Sequence, residues 1–309
     1  MGFTNWLVQK FIPQAEQVMD VGIRAKYGYL VAWVSIVGNL LLALTKVFFG
    51  IMLNSISLLA DAVHTLSDVV TSFVVLWGFR LAAAPPDEKH PYGHGRIENV
   101  ATLIIALLLI GVGIEFGKAS AQRFLSNEVV EGSLLVAVLL VFGGLFKEWM
   151  ARFAVSMGER INSSTLVADA WHHRSDAVAS ILVAVAMVAA MFGYYRADAV
   201  IGLVVSALII YTGWDLARNT VSALIGEKPD EELVEKITAT AGSVNGVKGV
   251  HKVEVHDYGP ENLLVSLHIQ VDATIAVLDS HQIAAEVKYC ILDRCGALTT
   301  VHVEPFLAD

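Results

Sequence analysis

Apolar residues in this chain come in long blocks before they come in short alternations. Six stretches, near residues 29–53, 56–84, 97–120, 130–157, 163–193 and 197–223, are long enough for helices that cross a bilayer, which takes about 20 mostly apolar residues. Lys147, Glu148 and Arg152 interrupt the second half of the fourth. After Lys228-Pro229 the pattern becomes that of a water-exposed fold. Residues 230–242 open with Asp-Glu-Glu, the acidic first turn of a helix. Residues 250–258 and 263–271 predict strands, the second alternating as Leu-Val-Ser-Leu-His-Ile-Gln-Val, with Gly259-Pro260 as turn material between them. A helix over 279–293 and a strand over 299–305 complete an α-β-β-α-β order, which predicts helices packed on one face of a small sheet. The chain therefore divides into an N-terminal segment 1–27, a six-helix transmembrane domain 28–225 and a C-terminal α+β domain 226–309.

Composition sharpens this division. The 309 residues are 55% hydrophobic and 17% charged, with a mean hydropathy of +0.61, whereas soluble domains carry about a quarter charged residues. An ordinary soluble enzyme is excluded. Of the net charge of −9, residues 226–309 carry nearly all, and neither part holds the basic patch that nucleic acid would need. Lys10, Arg24 and Lys26 precede the first span, Arg80, Lys89 and Arg96 flank the second connection, and Arg152 and Arg160 the fourth. The remaining connections hold chiefly Arg123 and Arg196. This bias predicts a multi-pass protein with both termini in the cytoplasm. Residues 1–27 lack the apolar core of a cleavable signal. Cys290 and Cys295 have no zinc-ribbon spacing and read as incidental thiols.

An internal repeat carries the chemistry. Residues 58–70 in the second span and 166–178 in the fifth agree at 8 of 13 positions, and each contains Asp-x-x-His-x-x-x-Asp. On a helix, residues three, four and seven apart share one face. Asp61, His64 and Asp68 thus form one polar stripe and Asp169, His172 and Asp176 another. Ionisable groups at bilayer depth cost roughly 2.5–3.5 kcal/mol each on insertion scales. A divalent cation held between the two stripes offsets that cost, and two imidazoles with two carboxylates suit tetrahedral Zn²⁺. His64, Asp68, His172 and Asp176 are the expected ligands. Asp61 and Asp169, one turn earlier, fit either support of those ligands, a place on the access path, or helix–helix hydrogen bonding. His173 and Arg174 turn away from the face of His172 and fit packing or the lining of a vestibule.

The ten histidines fall into three groups: positions 64, 172 and 173; positions 90 and 94; and positions 251, 256, 268, 281 and 302. Asp87, His90 and His94 fit a partly hydrated ion at a loop surface, the glycines at 93 and 95 serving turn geometry. In the C-terminal domain, His251, His268, His281, His302 and Glu304 sit at strand ends and a helix start, and His302 and Glu304 share one strand face at i and i+2. Glu304 is placed to bridge two ions. His256 looks like a turn residue.

These motifs together resemble the cation diffusion facilitators, and within them the bacterial zinc exporters, from about residue 28 to 306. The resemblance rests on the paired His-x-x-x-Asp at 64/68 and 172/176, on Asp87-x-x-His90-x-x-x-His94-Gly, on Lys228-Pro-Asp-Glu-Glu, and on the C-terminal histidines. It implies a homodimer in the cell membrane that exchanges cytoplasmic Zn²⁺ for H⁺ by alternating access, a secondary active transporter and not an enzyme. It also implies a cytoplasmic ferredoxin-like, metallochaperone-like domain that binds Zn²⁺ as a structural or regulatory ion and tightens the dimer. Glu304 stands where relatives often have Asp, and Val303 where a Gln can help coordinate. The family's dimer interlock would pair Arg96 with an acid near the end of the sixth span, where Gly226 and Glu227 stand. Two rivals keep the same ligands: an intramembrane zinc hydrolase with Asp61 or Asp169 as base, and a zinc-gated channel with no coupling to a pH gradient.

Overall fold

The computed structural model describes residues 3–18, 20–52, 56–126, 134–192, 197–259 and 262–306. Of the expectations above, Leu53, residues 130–133, Gly193, Arg196 and Pro260 lie outside the described residues, as does the side chain of Arg123. The chain forms two compact units, Met1–Ala83 with Ile97–Val221, and Ala84–Arg96 with Ser222–Asp309.

The first unit is helical: α1 (Phe3–Phe11), α2 (Val21–Met52), α3 (Ile56–Ala82), α4 (Ile97–Ser126), α5 (Leu134–Ile161), α6 (Ser164–Met191) and α7 (Ala197–Ile225), whose last residues pass into the second unit. Among the described residues, four stretches are long and apolar enough to cross a membrane: Val21–Met52, His64–Ala82, Ile97–Gln122 and Leu134–Ile161. α6 and α7 have the length but fall outside this set. Leu40, Leu44, Phe48, Phe73 and Trp77 are exposed on the helices, the outward apolar surface that a lipid environment asks for.

Position 27 is not a boundary. The short helix α1 ends ahead of Pro13, whose ring disfavours helix for the residue before it, and buries Leu7 and Val8, with Ile12 following, against Ile23, Tyr27 and Val31. The Tyr27 hydroxyl donates to the Ala15 carbonyl at 2.9 Å. α2 starts at residue 21 and not near 29, because Asp20 accepts the Ile23 N–H at 2.9 Å and satisfies one of the open donors of the first turn. Arg24 and Lys26 had hidden this turn from a hydropathy pattern. Arg24 then reaches Glu98 on α4 at 3.0 Å and also donates to the Ile161 carbonyl, and Glu98 accepts from Ser163 at 2.5 Å. α2 packs on α3 and α5 on α6, with further contacts from α3 and α4 to α6.

The second unit shows the expected α-β-β-α-β order: α8 (Glu231–Gly242), β1 (Gly249–Asp257), β2 (Leu263–Asp272), α9 (Val277–Cys295) and β3 (Ala297–Phe306). Asp230 caps α8 by accepting the Glu232 N–H at 3.1 Å, and Gly296, at φ 67°, closes α9 in the left-handed conformation. The sheet order is β1-β2-β3, antiparallel then parallel. On β2, Val265, Leu267, Ile269 and Val271 face Ile237 and Ala241 of α8 and Ala284, Val287 and Ile291 of α9. Both helices therefore cover one face, and the intervening residues of each strand line the other.

β1 reaches this arrangement through a bulge. Val250, Val253 and Val255 all pack on the core, which strict alternation forbids. The register slips between His251 and Glu254, and Lys252 takes φ 49° as the extra residue. His256 lies within β1, paired with Leu264, and not in a turn.

Candidate metal centres

The first centre is built by α3, α5 and α6 within the helical unit. A cavity of 820 Å³ is lined by Asp61, His64, Asp68, Lys147, His172 and Asp176 among other residues. His172 Nε2 lies 3.5 Å from Asp68 Oδ1 and 3.5 Å from Asp176 Oδ2, and His64 Nε2 lies 3.9 Å from Asp176 Oδ1. The four expected ligands thus converge from the two copies of the repeat. His172 is buried, yet neither ring nitrogen makes a hydrogen bond among the described residues. A buried nitrogen without a partner beside two carboxylates is a donor atom available to a cation, and the donor set suits a borderline ion such as Zn²⁺.

Sequence reasoning missed the group at the middle of this centre. Lys147 of α5 places Nζ 2.6 Å from Asp68 Oδ2 and 2.8 Å from Asp176 Oδ2, with all three side chains buried. It stood in the sequence as a break in an apolar stretch. The signal was available, since an ionisable residue at bilayer depth marks a functional position by default. The remaining acids of the repeat divide between other partners. Asp61 pairs with Lys46 at 2.7 Å, and Lys46 also donates to Thr65 at 2.7 Å. Asp169 meets His173 at 3.4 Å, and His173 Nε2 lies 2.9 Å from the Ser35 hydroxyl. His173, expected to pack, is thus one member of a fully buried polar group. Arg174 reaches Glu148 at 3.3 Å and lies over the Trp171 ring.

The second centre is the loop 84–96, which belongs to the same unit as the C-terminal residues. His90 Nδ1 and His94 Nε2 each lie 3.4 Å from an Asp87 oxygen, one on each. The backbone N–H of His90, and then that of Lys89, hold the Asp87 carboxyl below its ordinary value. His94 Nδ1 faces the Pro85 carbonyl at 3.2 Å, which fixes the ring with Nε2 turned toward Asp87. The loop is anchored through Arg96, whose Nε and Nη2 donate to the Asp257 carbonyl at 3.0 and 2.7 Å and whose guanidinium lies over Tyr258. Within the chain the partner of Arg96 is thus a backbone carbonyl at the end of β1. Gly95 and Gly259 approach closely here, and Gly259 takes φ 109°.

The third centre lies on the open face of the sheet. His251, His268 and His302 are register partners in one row across β1, β2 and β3, and Glu304 sits two residues further along β3. Its carboxylate meets His268 Nδ1 at 2.7 Å, His251 Nε2 at 3.0 Å and His302 Nε2 at 3.9 Å. The hydrogen bond from His268, followed by the charges of His251 and His268, sets its pKa below the ordinary value. His251, His268 and Glu304 place ligand atoms within 4.8 Å of one another. The structure does not bring His281 into this group. It is exposed on α9, the helix that packs on the opposite face of the sheet.

Long apolar helices around a buried nitrogen and oxygen centre, joined to a small α/β unit with its own histidine cluster, define a membrane protein that handles metal cations. The chain belongs to the cation diffusion facilitator family: residues 32–225 match the cation efflux transmembrane domain, and residues 229–306 match the cytoplasmic domain of cation efflux proteins. It is 38% identical to an uncharacterized transporter of Methanocaldococcus jannaschii, over 82% of this chain and 89% of that protein. It is 29% identical to the manganese efflux system protein MneP of Bacillus subtilis, over 90% and 96% respectively. It is also 29% identical to the magnetosome protein MamB of Magnetospirillum gryphiswaldense, over 85% and 89%. The protein is a divalent metal cation efflux transporter, and members of its family are transporters and not enzymes.

Proposed function

We propose that this transporter exports Zn²⁺ from the cytoplasm in exchange for protons, as a homodimer in the cell membrane with six spans and both termini inside. The observation that carries this is the convergence of His64, Asp68, His172 and Asp176, two ligands from each copy of the repeat, in one cavity. Two imidazoles and two carboxylates favour Zn²⁺ over harder ions. Coupling follows from competition, since the ligands bind metal only when deprotonated. Protons arriving from outside would release the ion, and the protonated site would return inward. A transport cycle also accounts for a ligand set drawn from two helices, which can separate, where a fixed catalytic ion would be held more rigidly.

In the C-terminal unit, taken as ferredoxin-like and cytoplasmic, Zn²⁺ on His251, His268, His302 and Glu304, and on the loop ligands Asp87, His90 and His94, would serve structure or regulation. His281 lies off this cluster in its own chain, so any part it plays there belongs to a second copy.

A second reading, Mn²⁺ as cargo, is supported by the likeness to a protein named for manganese efflux. Purified protein in vesicles, tested with Zn²⁺ and Mn²⁺ in turn, with and without an imposed pH gradient, separates these. Zinc uptake that needs both the gradient and Asp176 is the expected result, with Asp176→Ala as control. Preference for Mn²⁺ overturns the cargo, gradient-independent flux indicates a channel, and tight binding without flux favours a hydrolase.

A further inference from the structure

Lys147 claims the same oxygens that a bound metal would need. Its ammonium sits between Asp68 Oδ2 and Asp176 Oδ2 at 2.6 and 2.8 Å, and the three side chains are between 4% and 6% exposed, too little for water to screen them. Lys147 comes from α5, outside the repeat that supplies the ligands. Given the transport site proposed above, we propose that Lys147 is a tethered counter-cation that the metal displaces on binding and that returns when the metal leaves.

The physical case is one of charge. Two carboxylates a few ångströms apart in a low-dielectric cavity repel strongly, and a site carrying both without compensation is costly to move through the bilayer. A dication neutralises both. With the ammonium in place as well, the site would carry a surplus positive charge, so ammonium and dication exclude each other. The lysine stem supplies the tether: a compact charge on a flexible four-carbon chain can swing out of the way, which the planar fork of an arginine does less readily. Two consequences follow. Lys147 weakens metal binding, which favours release, and it stabilises the site between cargoes, which favours the return step. A residue that merely held the carboxylates in place would strengthen binding.

The test uses the full chain with Zn²⁺ alone. Calorimetric titration of the wild type and of Asp176→Asn isolates the binding component that belongs to the membrane site. Lys147→Met should tighten that component about tenfold or more, by removing a unit charge a few ångströms from the ion, while kcat for zinc uptake in vesicles falls. Lys147→Arg, which keeps the charge on a group harder to displace, should weaken the component and raise KM while transport continues. Unchanged or weaker binding in a folded Lys147→Met overturns the proposal. If that variant does not fold, Lys147→Arg decides: a raised Kd supports displacement, and a wild-type Kd overturns it. A titration that Asp176→Asn leaves unaltered overturns the transport site itself, and the counter-cation with it.

Discussion

His268 Nδ1 donates to Glu304 Oε1 across 2.7 Å, between parallel strands whose register pairs His268 with His302 and Gln270 with Glu304. The carboxylate thus reaches diagonally back to the histidine row, and contacts its members unequally. The farthest, His302, is also the most exposed of the three. For the C-terminal cluster this predicts a ranking. His268→Ala or Glu304→Ala should remove zinc from the cluster, His302→Ala should weaken it less, and none should abolish zinc uptake. Metal content of the purified variants, with vesicle flux beside it, checks the order.

The approach of Gly95 to Gly259 leaves no room for a side chain on either. A methyl group on Gly259 would also be strained by its φ of 109°. Gly259→Ala should therefore loosen the loop that carries Asp87, His90 and His94 and reduce its zinc affinity. The effect should exceed that of Asn262→Ala, because the backbone bonds of Asn262 to Tyr258 and Gly259, both 3.0 Å, survive that change. Titration in a background lacking both Glu304 and Asp176 reads the loop alone.

The Arg24–Glu98 pair ties α2 to α4 and, through Ser163 and the Ile161 carbonyl, to the turn between α5 and α6. Glu98→Ala leaves a partly buried guanidinium without its counter-charge. Losing one member of a fully buried pair costs about 3–5 kcal/mol, and this part-buried pair lies below that range. Thermal unfolding in detergent should show a clear fall in Tm, larger than for Glu148→Ala on the more open Arg152 and Arg174 pairs.

Asp272 holds the turn after β2 by accepting from the Thr274 hydroxyl at 2.6 Å and the Thr274 N–H at 2.9 Å. The hydroxyl bond, then the backbone bond, lowers its pKa from the ordinary 3.8. A depressed carboxyl stabilises the fold fully above its ordinary value and loses that contribution as pH falls through the folded value. Melting curves of the wild type and Asp272→Asn should therefore differ at about pH 6 and converge toward about pH 3. A gap that widens on acidification would have the sign wrong.

Much of this was legible in the chain because it depends on periodicity. Long apolar blocks gave helices, alternation gave β2, and a repeated Asp-x-x-His-x-x-x-Asp gave two stripes that do meet. What escaped depends on which side chains meet across helices. Lys147 looked like a flaw in an apolar block because nothing in α5 says that it faces Asp68 and Asp176. Asp61 and Asp169 are equivalent in the repeat, yet one finds Lys46 and the other His173. The helix α1 is too short to register as a span, although its buried Leu7 and Val8 make it part of the core.

The bulge at Lys252 escaped for a different reason, since no glycine marks it, and its consequence concerns which mutations the strand can accept. β1 is written in two phases, with Lys252 as the punctuation between them. Replacing that lysine changes one exposed side chain, and glycine there would even relieve the backbone. Deleting it would restore unbroken alternation with Val250, Val253 and Val255 still on the core face and His251 still on the open one. The histidine row would keep its first member, and the strand would lose only the local bend and added twist that the bulge supplies. In this strand, residue 252 shapes the path of the backbone and leaves the choice of face to its neighbours.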